Sequence, residues 1–182
     1  MITNTEYRNA QNAGAELIRK TGIAVSDDEL ARIEVADFGL AQLETFGAQI
    51  LTLVNTDKVS AKLIAMRPYQ AMPEHWHPQV GEYAGKEETI RCEWGVLYLY
   101  GPGEASTAPK ARLPETSRKV FTHWHEHLLG KADQVTFPPN TPHWFQAGPE
   151  GAVVWSFSTK AIDVQDCFTD PEIKRETIIG DG

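Results

Sequence analysis

The sequence predicts a mainly β protein, a single antiparallel β-barrel preceded by helices, and three observations carry the prediction. From about Ala48 onward the chain is a succession of short β-rich segments. Clusters of Gly and Pro interrupt them at 78–85, 101–103, 130 and 138–142, which is the punctuation of hairpins and barrel corners rather than of β-α-β crossovers. Helix-forming residues, by contrast, are gathered in the first forty positions. A chain of 182 residues has room for one full hydrophobic core and not comfortably for two. The expected organisation is a helical segment, 1–47, packed on a barrel of residues 48–171, with a C-terminal tail at 172–182, all in one domain.

The elements follow in order. Residues from about Thr5 to Lys20 are rich in Ala, Glu, Gln and Leu, and Gly22 offers a stop. Ser26-Asp27-Asp28-Glu29 has the form of a capping box, ahead of Leu30, Ile33 and Val35, and predicts a second helix ending before Gly39. Ile50–Val54 is β-rich and stops at the turn composition Asn55-Thr56-Asp57. From Val59 to Met66 the residues alternate, with Lys62 on the face shared by Ser60, Ile64 and Met66. Further strands are predicted at 88–94, 96–100, 119–128, 133–137, 143–147 and 152–158.

Bulk properties exclude several classes. The net charge of -8 is opposite to a nucleic-acid footprint, and no apolar run approaches the roughly 20 residues that span a bilayer. No nucleic-acid or membrane partner is expected. The first residues lack the basic start and apolar stretch of a signal peptide. Cys92 and Cys167 are two lone cysteines without metal-type spacing, so a reducing cytoplasm is the default expectation.

All six histidines fall between residues 75 and 143. In an extended strand His75 and His77 point to the same face and can share one metal ion. Downstream come Glu88, with Gly95 seven residues on, and Pro138-Pro139-Asn140-Thr141-Pro142-His143. His-x-His, then Glu with a trailing Gly, then Pro-x-Asn-x-x-His resembles the two motifs of the cupin superfamily, whose barrels are jelly rolls. In that superfamily the Glu and the last His complete the metal set, which gives His75, His77, Glu88 and His143. Glu82, Glu87 and Glu93 are rivals for the carboxylate, and Gly95 favours Glu88. Three imidazoles and one carboxylate leave a divalent ion net positive charge and, if octahedral, two open positions for adjacent oxygens of a substrate. His123-Trp124-His125-Glu126-His127 would place three imidazoles on one strand face. They could form a second metal site, support the ligands, or be an exposed polar face, with His125 as the candidate pocket residue.

A more specific resemblance extends from about Thr21 to Pro171. Pro73-Glu74-His75-Trp76-His77-Pro78, the run Gly85-Lys86-Glu87-Glu88-Thr89-Ile90-Arg91-Cys92, and Val96–Tyr100 resemble the D-lyxose isomerase family. So do Trp124-His125-Glu126, the run from Phe137 to Gly148, and Phe168-Thr169-Asp170-Pro171. The resemblance implies a metal-dependent aldose–ketose isomerase, interconverting D-lyxose with D-xylulose and often D-mannose with D-fructose. It also implies manganese as the usual ion, one per chain, a small sugar as substrate and a homodimer as the usual assembly. Zinc, cobalt or iron would suit the same donors.

A family lysine falls on Lys62 and acidic positions fall on Asp163 and Asp166. Lys62 and Asp163 are the candidates for proton transfer, and Asp166 for sugar binding. Phe145, on the strand face of His143, is a candidate pocket wall. Trp144 and Trp76 would face the other side, and Tyr98 and Tyr100 either reach the sugar or serve as strand formers. One departure stands out: a glutamate expected just after the second motif is Ser156 here. Two other readings stay open at this stage, a cupin dioxygenase with iron on the same ligands and a non-catalytic sugar- or metal-binding cupin.

Overall fold

The computed structural model describes residues 1–180. A two-residue strand β1 (Ile2–Thr3) leads into helix α1 (Asn4–Thr21). Thr3 and Glu6 form a reciprocal capping box, and Gly22 closes the helix in the left-handed conformation, its N–H bonded to the Arg19 carbonyl. The expected second helix is a single turn, α2 (Asp27–Leu30), with the Ser26–Glu29 capping box in place. It ends early because Ile33 and Val35 belong to a strand environment: β2 (Glu34–Ala36) pairs with β3 (Ala48–Asn55), and both side chains are buried. The sequence predicts a helix running through Leu30, Ile33 and Val35. Pairing with the open edge of β3 takes precedence over it.

The remaining strands are β4 (Ser60–Met66), β5 (Ala71–Trp76), β6 (Glu88–Gly101), β7 (His125–Leu129), β8 (Gln134–Phe137), β9 (His143–Ser158) and β10 (Cys167–Phe168). They form one curled antiparallel sheet in the order β10-β5-β9-β4-β3-β2, with β6 pairing β7, β8 and β9. This is the mainly β, antiparallel architecture that the sequence predicts. β9 holds it together: residues 143–147 lie between β5 and β6, and residues 152–158 lie between β4 and β6. The strands expected separately at 143–147 and 152–158 are therefore one bent strand, as are those at 88–94 and 96–100.

Gly95 sits at the bend of β6 with φ +77°, and a Cβ there would run into the Gly151 carbonyl oxygen across the sheet. The strand expected at 119–128 begins only at His125. Before it come a helical turn, α3 (Glu115–Arg118), and a loop whose Phe121 and Trp124 pack with Tyr100 and Trp144. The buried Glu74 carboxylate accepts the backbone N–H groups of Thr122 and His123, which holds that loop out of the sheet.

Two apolar layers flank the sheet. Ile50, Ile64, Met66, Ile90, Leu97, Phe145 and Val154 fill the barrel, while Ala15, Leu17 and Ile18 of α1 cover Leu51, Leu63 and Val153 on the outer face. No helix of the described residues is long and apolar enough to cross a membrane. Residues 172–180, expected as a tail, run back along β2 and end in strand β11 (Ile179–Gly180), parallel to β1.

Candidate functional site

Sheet register builds the site. His75 on β5 pairs directly with His143, the first residue of β9, and Glu88 begins β6, whose register places it opposite Ser158 of β9. His77 follows the end of β5. The ligand atoms of His75, His77, Glu88 and His143 all lie within 4.8 Å of one another, and all four residues are buried. That is close to the roughly 4 Å between opposite ligands of one ion with bonds of ~2.1 Å.

The hydrogen bonds fix what these atoms can bind. His75 Nδ1 lies 2.9 Å from the Pro73 carbonyl and His143 Nδ1 2.9 Å from the Thr141 carbonyl. A carbonyl only accepts, so each Nδ1 carries the proton and each Nε2 presents a lone pair. His77 Nδ1 likewise faces Asp166 Oδ1 at 2.6 Å. Glu88 Oε2 stands 3.0 Å from His77 Nε2 and 3.3 Å from His143 Nε2. Three Nε2 atoms and one carboxylate then face one another, a set that fits a cation at their centre. Burial opposes a charged His77, but its contacts with Asp166 and Glu88 raise its pKa, so a proton on Nε2 can take the cation's place there.

Burial, with the neighbouring His143 and His77, holds His75 well below its ordinary pKa and therefore neutral. Burial alone would raise the Glu88 carboxyl. Lys86 beside it, with the His143 and His77 contacts, holds it well below the usual carboxylate range. Lys86 Nζ donates to Glu88 Oε1 at 3.0 Å, and the buried Ser156 hydroxyl donates to the same oxygen.

Beside the four residues opens a narrow cavity, lined by His75 and Glu88 among others. Its apolar wall includes Phe145, as the strand parity predicts, together with Phe38 and Phe168. Lys62 and Asp163 form an ion pair that also lines it, with side chains 5% and 24% exposed. The Lys62 face of β4 thus points into the barrel, but its ammonium is paired rather than alone against a cation. Burial would raise the Asp163 carboxyl, whereas Lys62, Lys86 and Arg175 lower it below its ordinary value. Asp166 lines the cavity as well, and its hydrogen bond orients His77.

The structure therefore brings together His75, His77, Glu88, His143, Lys62, Asp163, Asp166 and Phe145. It leaves the second histidine series outside. His123 precedes β7 and lies 3.4 Å from Glu74. His125 Nδ1 meets the Glu104 carbonyl, and the His125 and His127 rings pack edge to face. None of the three lines the cavity, so His125 is not a pocket residue. Trp144 is buried in the aromatic cluster away from the site, and Tyr100 donates its hydroxyl proton to Glu126.

Sequence reasoning missed Lys86 and Arg175. Lys86 carried a signal, since it stands two residues before Glu88 inside the motif run. Arg175 carried none, because it lies beyond the stretch of resemblance.

No family model matches the chain. It is 49% identical over 175 residues to the D-lyxose ketol-isomerase of Thermofilum sp. (strain ex4484_79), covering 96% of this chain and 97% of that protein. It is 47% identical over 178 residues to the D-lyxose ketol-isomerase of Cohnella laeviribosi, covering 98% of each. With the D-lyxose/D-mannose isomerase of Thermosediminibacter oceani it shares 46% over 175 residues, covering 96% of this chain and 97% of that protein. Among solved structures, the ligand-free L-ribose isomerase of Cellulomonas parahominis superposes with a TM-score of 0.79 at 16% identity, over 94% of each chain. The L-ribose isomerase of Acinetobacter sp. DL28 in complex with L-ribose gives 0.79 at 14%, again over 94% of each. At such identities these two establish likeness of fold.

Proposed function

The chain belongs to the D-lyxose ketol-isomerase family, and from that premise we propose that it interconverts D-lyxose with D-xylulose, and D-mannose with D-fructose, using one divalent ion. The protein is a sugar isomerase. Its metal dependence and its particular substrates are the proposal. The observation that carries it is the meeting of three Nε2 lone pairs and one ionised carboxylate beside a cavity with a paired lysine and aspartate.

Aldose–ketose isomerisation moves hydrogen between C1 and C2 of the open-chain sugar. When bound, the ion supplies Lewis-acid polarisation of the carbonyl and several kcal/mol of stabilisation for charge developing on the neighbouring oxygens. His75, His77, Glu88 and His143 would hold it, with Ser156 and Lys86 fixing the Glu88 carboxylate and Asp166 fixing His77. Lys62 Nζ and Asp163 Oδ2 are a ready donor and acceptor. Asp163, ionised near neutrality, would take the proton from one carbon and Lys62 would deliver one to the other. The proton on Asp163 then passes to Lys62 across the ion pair, which restores both groups. Phe145 excludes water from the apolar side of the sugar, and Asp166 has a second carboxylate oxygen for a hydroxyl. Ser156, where a glutamate was expected, donates to Glu88, so proton transfer falls to the Lys62–Asp163 pair. Manganese as the ion and a homodimer as the assembly rest on the family resemblance alone.

The test is ketose formation from D-lyxose and D-mannose by metal-stripped protein, with and without added manganese, with His143→Ala as control. Turnover that requires manganese and vanishes in the variant is the expected result. Folded, manganese-loaded protein that converts neither aldose overturns the assignment.

A further inference from the structure

We propose that Arg175 binds hydroxyls of the sugar that the ion does not hold and so helps to set which sugars the cavity accepts, an inference that rests on the isomerase reading above. The arginine reaches the cavity from a segment that is pinned rather than loose. Lys174 N–H donates to the Phe38 carbonyl at 3.0 Å. The Thr177 hydroxyl donates to the Val35 carbonyl at 2.9 Å and accepts from Asp37 N–H at 3.0 Å. β11 then pairs with β1. Between these anchors the Arg175 side chain, only 13% exposed, turns inward and lines the cavity.

The guanidinium is oriented and still has donors to offer. Glu34 receives Nη1 at 2.5 Å and Nη2 at 3.3 Å, a two-point grip that fixes the plane of the group. Asp163 Oδ2 lies 3.7 Å from Nη2, near enough for attraction and too far for a hydrogen bond. An arginine has five N–H donors, so most of them remain for a ligand. A neutral polyol has hydroxyl acceptors to meet them and no charge that would call for the whole cation.

Its contacts separate this role from ion binding. The ion's two open positions would take the oxygens on C1 and C2. Arg175 bonds to none of the four residues that would hold the ion and stands instead beside Asp163, which in turn contacts Lys62. Its free N–H groups would therefore meet sugar hydroxyls that the ion does not hold, and their number and configuration differ between sugars. Arg175 is a specificity-determining residue rather than a proton carrier.

The test compares wild type with Arg175→Lys and Arg175→Met, each manganese-loaded. Calorimetry measures binding of D-arabinitol and D-mannitol, the reduced forms of D-lyxose and D-mannose, which cannot isomerise. Steady-state kinetics follow the two aldoses. Losing an oriented charge-assisted donor should weaken alditol binding and raise KM roughly ten- to hundred-fold in both variants, with kcat within about three-fold and an altered preference between the sugars. Lysine should not rescue, because it cannot keep the two-point contact with Glu34 while reaching the ligand. Thr177→Ala, which loosens the segment and keeps the guanidinium, should have the smaller effect.

Unchanged alditol binding and unchanged preference in a folded variant overturn the proposal. So does a fall in kcat at constant KM, which would assign Arg175 to proton transfer through Asp163. If wild type turns over both aldoses and the variants match it, this inference fails alone. If wild type turns over neither yet binds alditols in an Arg175-dependent way, the isomerase reading fails and this one stands. Should the Met variant not fold, the Lys variant carries the comparison.

Discussion

Replacing Asp163 by Asn is the perturbation with the largest consequence that leaves the shape of the cavity intact. In the native protein Asp163 pairs with a Lys62 side chain that is only 5% exposed, and Arg175 and Lys86 add to the positive charge around it. Asparagine keeps the volume and removes the countercharge, leaving a buried ammonium without its carboxylate. Breaking a buried pair from one side costs about 3–5 kcal/mol, and the low end applies because Asp163 keeps about a quarter of its side chain in solvent. About 3 kcal/mol in a domain of this size corresponds to a fall in Tm of roughly 6–12 °C. Because the native carboxyl titrates below its ordinary value of 3.8, its contribution is complete above that pH and is lost as pH falls through the lower, native value. The stability gap between wild type and Asp163→Asn should therefore be widest near neutrality and narrow below about pH 3.8. Calorimetric or circular-dichroism melts across that range measure it. Adding Lys62→Met to Asp163→Asn should recover much of the loss, since the stranded charge goes with it. A single variant that melts within 2 °C or so of wild type, or a gap that does not change with pH, would refute the argument.

Three further outcomes follow from other contacts. Ser156→Ala removes a hydroxyl that donates to Glu88 and should weaken manganese binding roughly 10–100-fold, read by chelator competition, with the fold preserved. Gly95→Ala places a Cβ against the Gly151 carbonyl at φ +77° and should cost about 2 kcal/mol or more in urea denaturation. Phe145→Ala empties a fully buried side chain from both the barrel core and the cavity wall, and should lower stability by about 3–5 kcal/mol in the same assay.

The sequence made the candidate ligand set legible because its members stand at or beside strand ends and carry their own markers. His75 and His77 stand two residues apart at the end of β5, Gly95 marks the bend that follows Glu88, and Pro and Asn precede His143. Lys62 and Phe145 were legible for a related reason: a period of two assigns a face once one residue of the strand is known to point inward. The failures are equally local in origin. The capping box at Ser26 correctly starts a helix, but it cannot tell that the chain has an open strand edge to reach at Glu34. Nothing near His123 announces that Glu74, 49 residues away, will hold its backbone out of the sheet.

The charges around the cavity explain why the rest of the site was hidden and what it accomplishes. Asp163 and Asp166 come from a short irregular stretch, and Arg175 from the segment pinned along β2, so no periodicity relates them to the metal motifs. Yet the charges are largely paired: Lys86 with Glu88, Lys62 with Asp163 and Arg175 with Glu34, while Asp166 is held on His77. A wall so paired adds little net field of its own. The charge of a bound divalent ion is then left to act on the substrate oxygens instead of being cancelled by a surplus of carboxylates. On this argument, removing any one of the three cations should weaken polarisation of the carbonyl even where the ion still binds at full occupancy. Arg175 should show the smallest such effect, being already held by Glu34 and bonded to none of the four residues.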